Sequence, residues 1–197
     1  MTSSDAPSDR HRCFGDGDPL YERYHDEEWG RPVHGERELY ERLTLEAFQS
    51  GLAWITILRR REGFRAAFDD FDPAVVAGYD DHDVERLMAD TGIIRNRAKI
   101  TAAVANARAL LDLHGRGLSL DEVFWSAAPV AAEPRQRPRT FAEVPASTPE
   151  SAALAKELKR LGFRFVGPTT AYAAMQACGV VDDHLAGCPV VLDRAAG

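Results

Sequence analysis

Two cysteine and histidine pairs stand at opposite ends of this 197-residue chain: Cys13 with His25, and His184 with Cys188. Two thiolates and two imidazoles form the ligand set of a closed tetrahedral zinc site. If one ion took all four, the first and last segments of the chain would have to meet, and few folds allow that. The rear pair is four residues apart, so on a helix or helical turn both side chains would leave one face. The front pair has a loop spacing, and only tertiary folding could carry it to the rear pair. On spacing alone, a metal site and an accident of composition are evenly matched, because zinc patterns usually contain two tight pairs. A buried cysteine also serves as a small hydrophobe. Cys178, on an apolar stretch after Met175-Gln-Ala, reads as core filler.

Hydrophobic residues make up 45% of the chain and charged residues 28%, enough for one sizeable core or two small lobes. No apolar run reaches membrane length, and the opening Met-Thr-Ser-Ser-Asp-Ala-Pro is unlike a signal peptide. A cytoplasmic protein with no membrane partner is expected. Three cysteines, an odd number, argue against a disulfide framework. The net charge of −7 disfavours general attraction to polyanions, so local cationic clusters carry more information than the sum.

The periodicity is helical nearly throughout. Leu39, Leu43 and Ala47 recur at helical spacing in a segment from Glu36 to Gln49, with acidic residues in its first turn and Gly51 as its stop. A second helix is expected from Ala53 to about Arg61. Asp72-Pro73 reads as an N-cap followed by proline at the first helical position, opening a short helix to Gly78. Asp80 or Asp81 then caps a helix to Asp90, and after a turn at Thr91-Gly92-Ile93-Ile94 a long helix begins at Asn96. Residues 127–149 hold five of the eleven prolines and read as a connector. Helices resume at Thr148-Pro149, ending at Gly162, and at Gly167-Pro168, ending at Gly179. Phe163-Arg-Phe-Val166 is too short to carry a sheet. The fold class is all-α.

Two further constellations bear chemistry. The segment from Val84 to Ile100 is a helix, a glycine turn and a second helix with a basic entry. Backbone N–H groups at such a turn hold a phosphate without base preference, and Arg95, Arg97 and Lys99 add charge beside Gly92. A solvated basic turn would look alike. Arg59, Arg60, Arg61 and Arg65 form another cluster, suited either to a second DNA strand or to a solvated helix end. Separately, Tyr21, Tyr24, Trp29 and Trp54 surround the sequence neighbourhood of Glu46. Singly, each aromatic fits a core; jointly, rings with a carboxylate suit a cationic ligand.

The strings Asp18-Pro-Leu-Tyr-Glu-Arg-Tyr-His-Asp-Glu-Glu-Trp-Gly30, Leu45-Glu-Ala-Phe-Gln-Ser-Gly-Leu-Ala-Trp-Ile-Thr56, Gly92-Ile-Ile-Arg-Asn-Arg-Ala-Lys-Ile100, Gly162-Phe-Arg-Phe-Val-Gly167, Met175-Gln-Ala-Cys-Gly179 and Asp183-His-Leu-Ala-Gly-Cys188 follow one another in order. Together they resemble the type I 3-methyladenine DNA glycosylases from about Cys13 to Cys188. The resemblance implies a helix-hairpin-helix glycosylase fold and a structural zinc on Cys13, His25, His184 and Cys188, joining the N- and C-terminal segments. It further implies a base pocket lined by Glu46, Tyr24 and Trp54 with Tyr21 close by, and a loop at Gly51-Leu52 that enters the DNA stack. Glu46 is then the polar residue on which catalysis depends. Phe14-Gly15 stands where relatives often carry a tryptophan, and Ala47 and Ala53 replace the usual glycine and serine.

The expected activity is hydrolysis of the N-glycosidic bond of 3-methyladenine in alkylated double-stranded DNA, leaving an abasic site and free base. The protein is expected to be a monomer: a disordered tail over 1–12, one domain of two helical lobes over 13–188, and a C-terminal tail over 189–197. Asp112 is not nominated by analogy with the catalytic aspartate of other helix-hairpin-helix glycosylases. A rival from another class, a zinc-stapled DNA-binding module without catalysis, would need the hairpin and the four metal ligands but not Glu46, Tyr24 and Trp54 together.

Overall fold

The computed structural model describes residues 12–129 and 136–190, and among these there are helices and loops but no strand. The first helix, α1 (Pro19–Glu27), has little apolar periodicity and is set by its start. Asp18 accepts from the backbone N–H groups of Leu20 and Tyr21, and Pro19 occupies the first turn. The next, α2 (Glu36–Gln49), has the bounds its periodicity predicts and turns out of helical geometry at Ser50-Gly51, where Gly51 takes φ 84°. Beyond it, the expected helix from Ala53 to Arg61 is two helices: α3 (Trp54–Leu58) and α4 (Arg61–Ala67). The break falls at Arg59-Arg60, and α4 continues past the predicted end because Phe64 and Ala67 find the core.

Capping residues set the following starts. Asp72 caps α5 (Pro73–Ala77), Asp80 forms a reciprocal capping box with Asp83 on α6 (Asp81–Ala89), and Asn96 accepts from the Lys99 N–H to open α7 (Arg97–Gly115). Ser119 caps α8 (Leu120–Trp125), a helix too short to show a period. Thr148 and Ser151 box the start of α9 (Pro149–Arg160), and α10 (Pro168–Ala177) opens at its proline.

Helix α2 runs through the centre. It packs against α10, α7, α3 and α8, while α5 lies on α7 and α9 on α10. One core joins Leu39, Leu43 and Phe48 of α2 to Ile100 and Leu110 of α7 and to Tyr172 and Met175 of α10. A smaller cluster joins the chain ends: Cys13, Tyr24, Trp29, Leu58, Ala177, Leu185, Cys188 and Val190. Cys178 is wholly buried core, as expected. After it, Gly179 takes φ 75°, and a Cβ there would stand 2.6 Å from the Arg31 carbonyl carbon, so only glycine lets the end of α10 meet the 30–33 loop.

The order extends further into both expected tails. Arg12 grips Asp26, and the buried Val190 accepts from Arg137 through its carbonyl. Residues 1–11 and 191–197 of those tails, and 130–135 of the expected connector, lie outside the described residues. The rest of the connector has one short 3₁₀ turn, Phe141–Glu143.

Candidate active site

The sequence placed Tyr21, Tyr24, Glu46 and Trp54 at one site, and the fold brings all four to one pocket of about 340 Å³. Helix α1 supplies Tyr21 and Tyr24, three residues apart and therefore on one face; α2 supplies Glu46, and α3 supplies Trp54. The Tyr24 and Trp54 rings lie 5.3 Å apart. The opposite wall comes from α10 through Thr169, Tyr172, Ala173 and Gln176. Phe141, Val144, Pro145 and Ala146 close another side. The proline-rich stretch thus does more than connect, and proline counting alone could not reveal it.

Phe14 supplies the aromatic side chain that the loop after Cys13 needed. Its ring lies 4.8 Å from Tyr21 and 5.0 Å from Trp29, and both Phe14 and Trp29 line the pocket. The glutamate sits in this ring of aromatics, buried and without a hydrogen-bond partner among the described residues. Burial pushes its pKa up to about 8, with the Arg42 guanidinium one turn back pulling the other way. The Glu46 carboxyl is therefore mostly neutral at pH 7. Burial, then the charge of Glu46, push the Tyr24 phenol well above its usual range, so it too is neutral. The Trp54 indole N–H is buried with no partner among the described residues. Unpaired buried polar groups are costly, and Trp54 and Glu46 line the same cavity.

The expected DNA-facing residues fare differently. Leu52 is exposed on the 50–53 loop, whose turn is fixed by Leu52 N–H to the Gln49 carbonyl and by Gln49 Nε2 back to the Leu52 carbonyl. Gln49 also lines the pocket, so loop and pocket are tied. Gly92 sits in the turn before α7 with its N–H on Asp90, and α4 packs so closely there that a Cβ on Gly63 would lie 2.6 Å from the Gly92 carbonyl oxygen. Arg95 is exposed, and Arg97 pairs with Glu85.

Lys99 corrects the expectation of a phosphate contact. Its buried ammonium donates to the carbonyls of Phe48 (2.9 Å) and Ser50 (2.6 Å), the cation that the C-terminal end of α2 favours. The second arginine cluster is also committed: Arg59 to Asp18, Arg61 to Glu28, Arg65 to Glu41. A different cationic face lies at the α9–α10 turn. Between α9 and α10 a hairpin presents Lys156, Lys159, Arg164 and an exposed Phe165 at φ 56° along one groove. The sequence string Gly162–Gly167 marked this turn, but its basic residues are spread too thinly along the sequence to stand out.

At the chain ends, the ligand atoms of Cys13, His25 and Cys188 lie within 4.8 Å of one another. His25 donates through Nδ1 to Asp26 at 2.8 Å and accepts the Cys13 N–H at Nε2, which fixes the tautomer with an inward lone pair. Burial holds this imidazole below its ordinary pKa despite Asp26. The His184 ring centroid is 5.2 Å from that of His25; its Nδ1 is held by Asp182, and its Nε2 is buried without a partner among the described residues. The rear pair is not helical: Leu185 to Cys188 is a turn closed by the Cys188 N–H on the Leu185 carbonyl, with Ala186-Gly187 at its tip.

The sequence profile of the methyladenine glycosylases matches residues 14–191, which includes every residue lining the pocket. The chain belongs to this family. It is 48% identical to DNA-3-methyladenine glycosylase 1 of Escherichia coli (strain K12), over 87% of this chain and 91% of that protein. With the DNA-3-methyladenine glycosylase of Haemophilus influenzae the identity is 43%, over 86% and 91%. A crystal structure of a 3-methyladenine DNA glycosylase I superposes with a TM-score of 0.86 at 48% identity, covering 91% of this chain and 98% of that one. The enzyme from Staphylococcus aureus, solved to show how it recognises 3-methyladenine, superposes with a TM-score of 0.83 at 34% identity, over 90% and 94%. The all-helical fold is thus the fold of the family's glycosylases. Among the described residues no helix is long and apolar enough to cross a membrane.

Proposed function

We propose that this chain excises 3-methyladenine from alkylated duplex DNA by hydrolysing the N-glycosidic bond, and that the pocket around Glu46 receives the flipped base. The observation that carries the reading is a buried carboxyl, with no hydrogen-bond partner among the described residues, in a pocket shared with Tyr21, Tyr24 and Trp54. Methylation at N3 puts a positive charge on the adenine of the nucleotide. As the base enters, that charge lowers the Glu46 pKa, the carboxyl releases its proton to solvent, and the resulting ion pair in the desolvated pocket is strong, whereas neutral adenine gives no such return. The aromatic walls stack the base, and the carboxylate remains to stabilise positive charge as it moves onto the sugar. The base then departs as a neutral molecule, so little general-acid assistance is required.

Leu52, exposed at the tip of a loop tied to the pocket, is suited to fill the gap the base leaves. For the helix-hairpin-helix element, the α9–α10 hairpin is better supported than the α6–α7 hairpin. Its second helix lines the pocket, and its cations are exposed, whereas Lys99 is turned inward and Arg97 is paired. Arg164→Ala should weaken duplex binding and lower the salt slope by about one, with Lys99→Met lowering stability instead.

The Cys/His cluster fits a structural zinc. Cys13, His25, His184 and Cys188 would hold it, with Asp26 and Asp182 orienting the imidazoles and the orphaned Nε2 of His184 as the ligand that otherwise has no role. Such an ion ties the chain ends together.

Release of free base from methylated duplex DNA by the wild type and by Glu46→Ala tests the function. A loss of about 100-fold or more is expected. Undiminished release by Glu46→Ala overturns the assignment of the pocket.

A further inference from the structure

Asp183 lies beneath the pocket and takes no part in the chemistry described so far. It is 2% exposed, and its Oδ2 accepts from two residues of the pocket wall at once: the Tyr172 hydroxyl at 2.5 Å and the Gln176 Nε2 at 2.8 Å. Tyr172 and Gln176 are four apart on α10, so one carboxylate at the end of the following loop can bridge them.

The bridge has a chemical consequence for the cavity. A tyrosine hydroxyl and a glutamine amide can each donate or accept, and either would otherwise adapt to whichever base arrived. Asp183 removes that freedom. The Tyr172 proton points at Asp183, leaving its ring as wall. Anchoring the Gln176 nitrogen on Asp183 turns its amide oxygen the opposite way, so this wall offers the cavity an acceptor. Glu46, once ionised by a cationic base, is an acceptor too.

We propose that Asp183 is a positioning residue that sets the hydrogen-bond polarity of the pocket, and that Gln176 is the specificity residue through which it acts. The inference rests on the reading of the pocket as the base site. An acceptor-lined pocket welcomes the exocyclic amino group of 3-methyladenine and rejects the exocyclic oxygen of 3-methylguanine, which would set acceptor against acceptor.

Duplex DNA methylated at both purines, assayed for each free base in one reaction, provides the test. The readout is the ratio of the two release rates, which general loss of folding or activity does not move. For the wild type, 3-methyladenine should predominate. In Asp183→Asn the new amide donates, Gln176 can reverse to present its nitrogen, and the ratio should fall about tenfold. Gln176→Met, which leaves Asp183 and Tyr172 in place, should lower 3-methyladenine release while sparing 3-methylguanine; it decides the matter alone if Asp183→Asn does not fold. Parallel losses of both bases in Gln176→Met, or an unchanged ratio in both variants, overturn this proposal and leave the proposed activity standing. Release of neither base by the wild type overturns both.

Discussion

The Glu46 pocket and the Cys13/His25/Cys188 cluster are neighbours built partly from the same residues, yet they handle buried polarity in opposite ways. Helix α1 feeds both, with Tyr21 and Tyr24 facing the pocket and His25 the cluster. Phe14 and Trp29 form the party wall: both line the pocket, Phe14 meets His25 edge-on at 4.9 Å, and Trp29 lies 4.6 Å from His184. Beside it, each imidazole is fixed from behind by a carboxylate, and the ligand atoms of Cys13, His25 and Cys188 lie within 4.8 Å of one another. In the pocket, Glu46 has no hydrogen-bond partner among the described residues, and its proton stays on because burial outweighs the pull of the Arg42 charge. Convergent, braced donors suit a permanent ion; a lone desolvated carboxyl suits a guest that brings its own charge and leaves.

The most severe test of that contrast is Glu46→Gln. The amide keeps the shape and removes the charge response, so base release should fall about 100- to 1,000-fold, with the melting temperature held or raised. A variant that loses stability along with activity would show that Glu46 braces the fold, as the cluster does.

Metal removal tests the other side. Chelation, or Cys188→Ser, should lower Tm by more than about 10 °C, because binding of a structural ion is folding free energy. Base release per folded molecule should stay within a few-fold of wild type, and elemental analysis should find about one zinc per chain before treatment. Selective loss of release at unchanged Tm would move the chemistry to the cluster and erase the distinction.

Much of both sites was legible before folding, for identifiable reasons. The caps at Asp72, Asp80, Asn96 and Thr148 announced four helices because one side chain decides each start. The bounds of α2 followed from its period. Helices α1 and α8 were missed because short helices with few apolar residues carry no period, and the break between α3 and α4 because Arg59 and Arg60 are compatible with helix interiors. Lys99 was misread because a cation at a hairpin reads as surface; nothing local reveals that the end of α2 lies beside it. Gln176 and Asp183 were legible only as members of recognisable strings and Tyr172 not at all, since their meeting depends on how the loop after α10 folds back on that helix.

The raised pKa of Glu46 makes the contrast measurable in stability as well. Between the unfolded value near 4.5 and the folded value of about 8, the unfolded chain releases a proton that the folded chain keeps. Stability therefore falls as pH rises through that window, and the loss is complete above about pH 8. The cost is on the order of a few kcal/mol, and Glu46→Gln should abolish it. Melting curves of the two proteins should converge near pH 4 and separate toward pH 8, with the variant higher. Equal profiles would mean that Glu46 finds a partner in the free protein.

The smallest expected effect comes from the party wall. Phe14→Leu keeps an apolar side chain but removes the ring that touches Tyr21, Trp29 and His25. Aromatic pairs add about 0.5–1.5 kcal/mol beyond the area they bury, so KM for methylated DNA should rise about threefold and Tm should drop by a few degrees. If the pocket and the cluster respond independently, supplementing zinc restores neither loss, because the ring acts by packing on each side separately. If excess zinc recovers both Tm and KM, the ring acts on the pocket through the ion. The wall then couples the two sites, and the position of Tyr21 and Tyr24 over a bound base depends on how tightly the chain ends are clipped.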